Sequence, residues 1–208
     1  MFVSKVIDNL VTARQADQIE NRIVRFDWWT FNDVTSNVGC NYDVHDKNII
    51  ETPQFTSTFA SQEEGITSPL YMEIVQPLLW MLEKDTGLEL EHIVRVKANL
   101  LTQTAHEAHN YHIPHVDHGS DRCLSMVYYV NDSDGDTRLF DKFVSDGSDN
   151  MKIVVSNTPK KGTGLLFQSH RFHSSSCPVL SDKRVVVNIV FMPTDKSYEN
   201  FLKKQNND

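Results

Sequence analysis

From residue 91 to residue 192 this 208-residue chain offers six strand-like runs: HIVRVKANLL, RCLSMVYYVN, DTRLF, MKIVVS, GTGLLFQS and KRVVVNIVFM. Turn-rich stretches such as NDSDGD, SDGSDN and NTPKKG separate them, and no helical pattern lies between. Parallel strands need crossover helices, so runs without them pair antiparallel, in a sandwich or barrel. The last run shows where the interior lies. By alternation, one face carries Val185, Val187, Ile189 and Phe191, and the other Arg184, Val186, Asn188, Val190 and Met192. Both faces are largely apolar, which predicts a strand buried on both sides.

The first ninety residues read differently. MFVSKVIDNL suggests a short strand, and TARQADQIENRIV a helix, with Ala16, Ile19 and Ile23 or Val24 at helical spacing. DWWTF and QFTSTF have strand character, and residues 27–67 and 131–150 are candidates for rim loops. SPLYMEIVQPLLWMLEKDTG predicts a helix capped by Ser68, opened by Pro69, kinked at Pro77 and ended by Gly87. The tail KSYENFLKKQNND is polar, a frayed end or a short helix. The expectation is one domain over 1–208, mainly β with α. Residues 1–90 give helical and strand support, and 91–193 form the core.

Charge narrows the function. Twenty Lys and Arg against 28 Asp and Glu give a net charge of −8, which opposes a broad nucleic-acid footprint. The cysteines, Cys40, Cys123 and Cys177, are odd in number and form no CxxC, so a disulfide framework is not expected and a reducing compartment fits. The N-terminal segment is too short and charged for a signal peptide, and no apolar run reaches membrane-spanning length. The expected setting is cytoplasmic, without membrane partners.

Five of the nine histidines fall in HEAHNYHIPHVDH: His106, His109, His112, His115 and His118. Pro114 opposes a helix there, so their period of three does not build a helical stripe. The spacing of two is more informative. In an extended segment His115 and Asp117 project to one side and offer a nitrogen and an oxygen ligand. A lone HxD is weak evidence until a third ligand joins it, and FQSHRFHSSSCPV offers two candidates, His170 and His173. Two histidines and one carboxylate on one face of an octahedron leave three positions open, the arrangement of non-haem Fe(II) oxygenases. Downstream, Arg184 on a doubly buried strand needs an anionic partner. That partner is either a carboxylate of the protein or the carboxylate of a ligand.

HVDHGSDRCLSMVYYVN, DGDTRLF, PKKGTGLLFQSHRFHSSSCPV and KRVVVNIVF, in that order over residues 93–192, resemble the Fe(II)- and 2-oxoglutarate-dependent dioxygenases, in particular their prolyl 4-hydroxylase-like branch. The resemblance implies a double-stranded β-helix of the jelly-roll or cupin type. It implies Fe(II) on His115, Asp117 and His173, and Arg184 gripping the far carboxylate of 2-oxoglutarate. Tyr129, Thr137 and Asn188 fall at positions that contact the cosubstrate, and Asn99 lies near an upstream one. Tyr129 and Thr137 read equally well as core residues. His112, His118 and His170 are expected to touch substrate or to support the ligands. The activity implied is hydroxylation of an unactivated C–H bond of a peptidyl proline, a free amino acid or another small molecule. O2 is consumed, succinate and CO2 are released, and ascorbate serves as a supporting reductant. The carboxylate at Asp117 favours hydroxylation over halogenation. A non-catalytic binding module on the same fold and a nucleic-acid dealkylase are the alternatives.

Overall fold

The most apolar run becomes the centre of the largest sheet. A computed structural model describes residues 3–35, 47–107 and 109–205. Its strands are β1 (Ser4–Ile7), β2 (Thr30–Asn32), β3 (Gln54–Ser61), β4 (Gly65–Ile66), β5 (Leu90–Thr102), β6 (Leu124–Tyr129), β7 (Thr137–Phe143), β8 (Ile153–Asn157), β9 (Gly164–Gln168), β10 (Arg171–Ser175) and β11 (Lys183–Pro193). All pair antiparallel. The larger sheet runs β1-β9-β6-β11-β5-β3-β2, with β4 on β3, and the smaller runs β10-β7-β8. Strands from the first ninety residues are thus integral to the larger sheet.

Alternation along β11 divides its side chains as the sequence predicts. Val185, Val187, Ile189 and Phe191 join a core with helices α1 (Ala13–Val24) and α2 (Gln76–Thr86). Val186 turns the other way, toward Tyr129, Leu139, Leu165 and Phe167. One face of the large sheet is therefore sealed by helices, and the other looks toward the small sheet.

The helices follow their end signals, with one change. Thr12 caps α1 through a capping box with Gln15, and Ala16, Ile19 and Ile23 are buried. The expected single helix over 68–87 is instead two segments. Tyr71–Val75 winds as a π-helix, and Pro77 occupies the first turn of α2 rather than its interior. Pro77 donates no hydrogen bond, and the wider π turn precedes the place where that loss would break an α-helix. Ser68 still caps the entry, accepting from the Leu70 N–H at 3.2 Å. Gly87 ends α2 at φ 74°, where a side chain would be strained. The polar tail forms a third helix, α3 (Asp195–Gln205).

Strand β10 has no counterpart among the six expected runs, because RFHSS is short and polar. Cys123 and Cys177 are buried free thiols, whereas Cys40 and the rest of 36–46 lie outside the described residues. No helix among the described residues is long and apolar enough to cross a membrane.

Leu82, fully buried where α2 meets the sheet, is central to this packing. Leu82→Ala is expected to destabilise the fold by about 2–5 kcal/mol in a chemical denaturation series, through lost burial and the cavity left behind.

Candidate metal centre

His115 and His173 face one another across an isolated antiparallel bridge. Each donates its backbone N–H to the other's carbonyl at 2.9 Å. The HxD segment is not the regular strand expected of it. It runs beside β10, and the carbonyl of Ser169, in the turn between β9 and β10, accepts the Asp117 N–H at 3.0 Å. The outcome is the one the spacing of two anticipates, since ligand atoms of His115, Asp117 and His173 lie within 4.8 Å of one another.

The surroundings prepare all three side chains. His115 Nδ1 lies 3.3 Å from the Ile113 carbonyl, and His173 Nδ1 lies 3.0 Å from the Arg171 carbonyl. A carbonyl only accepts, so each Nδ1 carries a proton, and each Nε2 is the ring atom turned toward the other ligands. Burial, then the neighbouring His173, pushes His115 down to about 4, so it is neutral at ordinary pH.

Asp117 is buried, with a side chain only 1% exposed. Oδ2 accepts the Ser125 hydroxyl at 2.7 Å, and Oδ1 accepts Arg95 Nη2 at 2.8 Å. The Asn188 amide reaches Oδ1 at 3.0 Å and Oδ2 at 3.1 Å. Burial raises this carboxyl, but the His173 imidazole, its hydrogen bond and Arg95 outweigh burial and hold the carboxyl well below the ordinary range.

The three groups fit a cation. His173 Nε2 stands 3.4 Å from Asp117 Oδ2, so a cation bound beside them would touch both the imidazole and the carboxylate. Two imidazoles and one carboxylate, each fixed through its outer atom, are the donor set of a non-haem Fe(II) site.

A cavity opens beside the three ligands, with both sheets in its wall. Arg95, Lys97, Asn99 and Leu101 of β5 line it, with Val127 of β6, Thr137 of β7, and Arg184, Val186 and Asn188 of β11. Arg184 is buried. Its Nε donates to the Gly135 carbonyl at 2.7 Å and its Nη2 to the Thr137 hydroxyl at 2.8 Å. It forms no ion pair among the described residues, so the protein-carboxylate reading of this arginine fails. Nearby Asp136 is engaged by Ser156 at 2.6 Å and Thr158 at 2.8 Å. A Cβ on Gly135 would stand 2.5 Å from the Ser176 carbonyl and 2.9 Å from Arg184 Cδ, so only glycine lets the backbone pack behind the guanidinium.

The other expected residues divide. Tyr129 is fully buried, donates to Thr137 Oγ1 at 2.9 Å and accepts from Asn157 at 3.0 Å, so it braces the arginine's partner instead of lining the cavity. Thr137 lines the cavity and joins Tyr129 to Arg184. Asn188 lines the cavity and turns its amide nitrogen to Asp117. Asn99 also lines the cavity.

His112 does not meet the expectation of touching substrate. It is buried between Thr52 Oγ1 at 2.9 Å and Ser175 Oγ at 3.0 Å, so both ring nitrogens are taken. His118 Nδ1 accepts the Ser120 N–H at 3.1 Å, and His170 stacks on Phe143 with ring centroids 4.6 Å apart. Neither lines the cavity. His106 and His109 are exposed. The sequence reading missed Ser125, Arg95 and Lys97. The last two were legible only as alternate residues on the polar face of VRVKAN.

Residues 101–192 match the family model of the 2OG-Fe(II) oxygenase superfamily. Solved structures share the fold. A 2OG-Fe(II) oxygenase-family oxidoreductase from Burkholderia pseudomallei superposes with TM-score 0.61 at 12% identity, covering 91% of this chain and 85% of its own. A prolyl hydroxylase from Trichoplax adhaerens, in complex with a hypoxia inducible factor peptide fragment, gives 0.57 at 16%, covering 94% and 86%. HygX from Streptomyces hygroscopicus, with nickel and 2-oxoglutarate bound, gives 0.54 at 11%, covering 92% and 83%. No curated protein sequence matches the chain. The shared architecture is the double-stranded β-helix, as expected.

Burial, then the charge of Arg184, pushes His112 from its usual 6.5 down to about 3. A folded-state value below the unfolded one favours the neutral ring, so its stabilisation is complete above pH 6.5 and is lost as pH falls toward 3. The melting temperature of the wild type is expected to fall more steeply between pH 6.5 and 4 than that of His112→Gln. Parallel curves would contradict the assignment.

Proposed function

We propose that the chain is an Fe(II)- and 2-oxoglutarate-dependent dioxygenase that hydroxylates an unactivated C–H bond in a prolyl-hydroxylase-like manner, a reading supported by the match of residues 101–192 to the 2OG-Fe(II) oxygenase superfamily model. One observation carries the reading. Two imidazoles and a buried carboxylate converge beside a buried arginine that pairs with no carboxylate among the described residues. Likeness to a prolyl hydroxylase that holds a peptide supports a C–H hydroxylation carried out on a peptidyl or small substrate.

His115 Nε2, His173 Nε2 and one Asp117 oxygen would hold the iron. When bound, Fe(II) and 2-oxoglutarate supply the chemistry by which O2 turns C–H into C–OH, while 2-oxoglutarate becomes succinate and CO2. The protein's own part is placement. The Ile113 and Arg171 carbonyls fix both rings. Ser125, Asn188 and Arg95 set the carboxylate plane. The Arg184 fork, steadied by Gly135 and Thr137, presents its charge to the far carboxylate of 2-oxoglutarate. Leu101, Val127 and Val186 give apolar wall that keeps water from the space between them.

Purified protein with Fe(II), ascorbate and 2-oxoglutarate in air is expected to release succinate, stimulated by a member of a panel of proline peptides and free amino acids. Arg184→Ala is expected to raise the half-saturating 2-oxoglutarate concentration by about thirtyfold or more, the scale of an anchoring charge pair lost. No succinate from the wild type contradicts the activity. An unchanged requirement in the variant takes Arg184 out of cosubstrate binding.

A further inference from the structure

Three basic side chains, Arg95, Lys97 and Arg184, line the cavity, and among the described residues Asp117 is the one carboxylate in its wall. Fe(II) and the two carboxylates of 2-oxoglutarate cancel one another, which leaves the loaded site with two uncompensated positive charges. Such charge in a partly closed cavity is costly unless an anion joins it.

The strand geometry separates the cations. In the register of β5 against β11, Leu101 lies opposite Arg184, Lys97 opposite Asn188 and Arg95 opposite Val190. Six residues of strand place Arg95 about 20 Å along β5 from the level of Arg184. Lys97 lies level with Asn188, which holds Asp117, and Arg95 lies past it. The far carboxylate of 2-oxoglutarate belongs with Arg184, and its near end belongs with the metal. Arg95 and Lys97 therefore flank the metal on the side away from Arg184.

The protein engages Arg95 only in part and gives the Lys97 side chain no hydrogen-bond or ion-pair partner among the described residues. Lys97 is half-buried and makes no hydrogen bond or ion pair among the described residues. Arg95 gives Nη2 to Asp117, yet its Nε is buried without a partner and its side chain is 37% exposed at the mouth. Asp117 is already engaged by Ser125, Asn188 and Arg95, so Lys97 exceeds what the ligand carboxylate needs.

We propose that Lys97 and Arg95 form a carboxylate subsite for the substrate, so that the molecule hydroxylated is an acid whose free carboxylate lies within reach of the attacked C–H bond. The inference rests on the function proposed above and narrows its substrate class from peptidyl or small-molecule to a small acid. Lys97 supplies a point charge, and Arg95 supplies a guanidinium edge that also positions Asp117.

Binding of free amino acids and N-acetyl amino acids, each beside its primary amide, to protein loaded with Ni(II) and 2-oxoglutarate tests the subsite by calorimetry. The wild type is expected to bind at least one acid more tightly than its amide, by about tenfold or more. Lys97→Met is expected to remove that preference and Lys97→Arg to retain it. Equal binding of acids and amides, no binding of any acid, or a preference unchanged in Lys97→Met overturns the subsite. A fall in 2-oxoglutarate affinity in Lys97→Met as large as the fall for acids also overturns it, by assigning Lys97 to the cosubstrate. Failure of the wild type to take up Ni(II) and 2-oxoglutarate would instead overturn the metal-site reading itself.

Discussion

A carboxylate sealed from water governs this molecule. Asp117 has 1% of its side chain exposed, and an isolated buried carboxylate is strongly disfavoured. The fold meets that cost with donors from three neighbouring strands: Arg95 on β5, Ser125 on β6 and Asn188 on β11. These strands are adjacent in the large sheet, so the pairing that builds the sheet also brings the donors together. The carboxylate stays ionised and fixed in direction, and the two imidazoles complete a pocket for a cation.

Arg184 has the opposite charge and the same kind of support. Its neighbours are neutral oxygens, from Gly135 and Thr137, and Tyr129 secures Thr137 from behind. Neutral acceptors orient a guanidinium without cancelling its charge. The cavity thus has a fixed cation at one end and the candidate metal ligands beside Asn188, further along the strand that carries Arg184, a spacing that suits a dicarboxylate bound at both ends.

Much of this was legible because burial leaves regular marks. The two-residue alternation of KRVVVNIVFM placed Arg184 and Asn188 on the inner face, and HVD set a nitrogen and an oxygen side by side. The regular histidine period was misleading. His112 looked like a site residue, yet it is a buried spacer between Thr52 and Ser175. β10 was hidden because RFHSS lacks the apolar alternation of a strand. It forms through pairing with β7 and the bridge to His115, contacts far away in sequence. Arg95 and Lys97 were obscure for a related reason. Alternate charged residues on a strand ordinarily mark its solvated face, and only the sheet order turns that face inward. The π turn before Pro77 depends on backbone accommodation that no residue pattern announces.

The central claim is that His115, Asp117 and His173 hold Fe(II) in a site completed by 2-oxoglutarate. Anaerobic titration of Fe(II) into protein with 2-oxoglutarate, followed by visible absorption, addresses it directly. The account predicts a metal-to-ligand charge-transfer band that saturates at one iron per chain and is absent from His115→Ala. A wild-type protein without the band, or a His115→Ala variant that keeps it, would contradict the account.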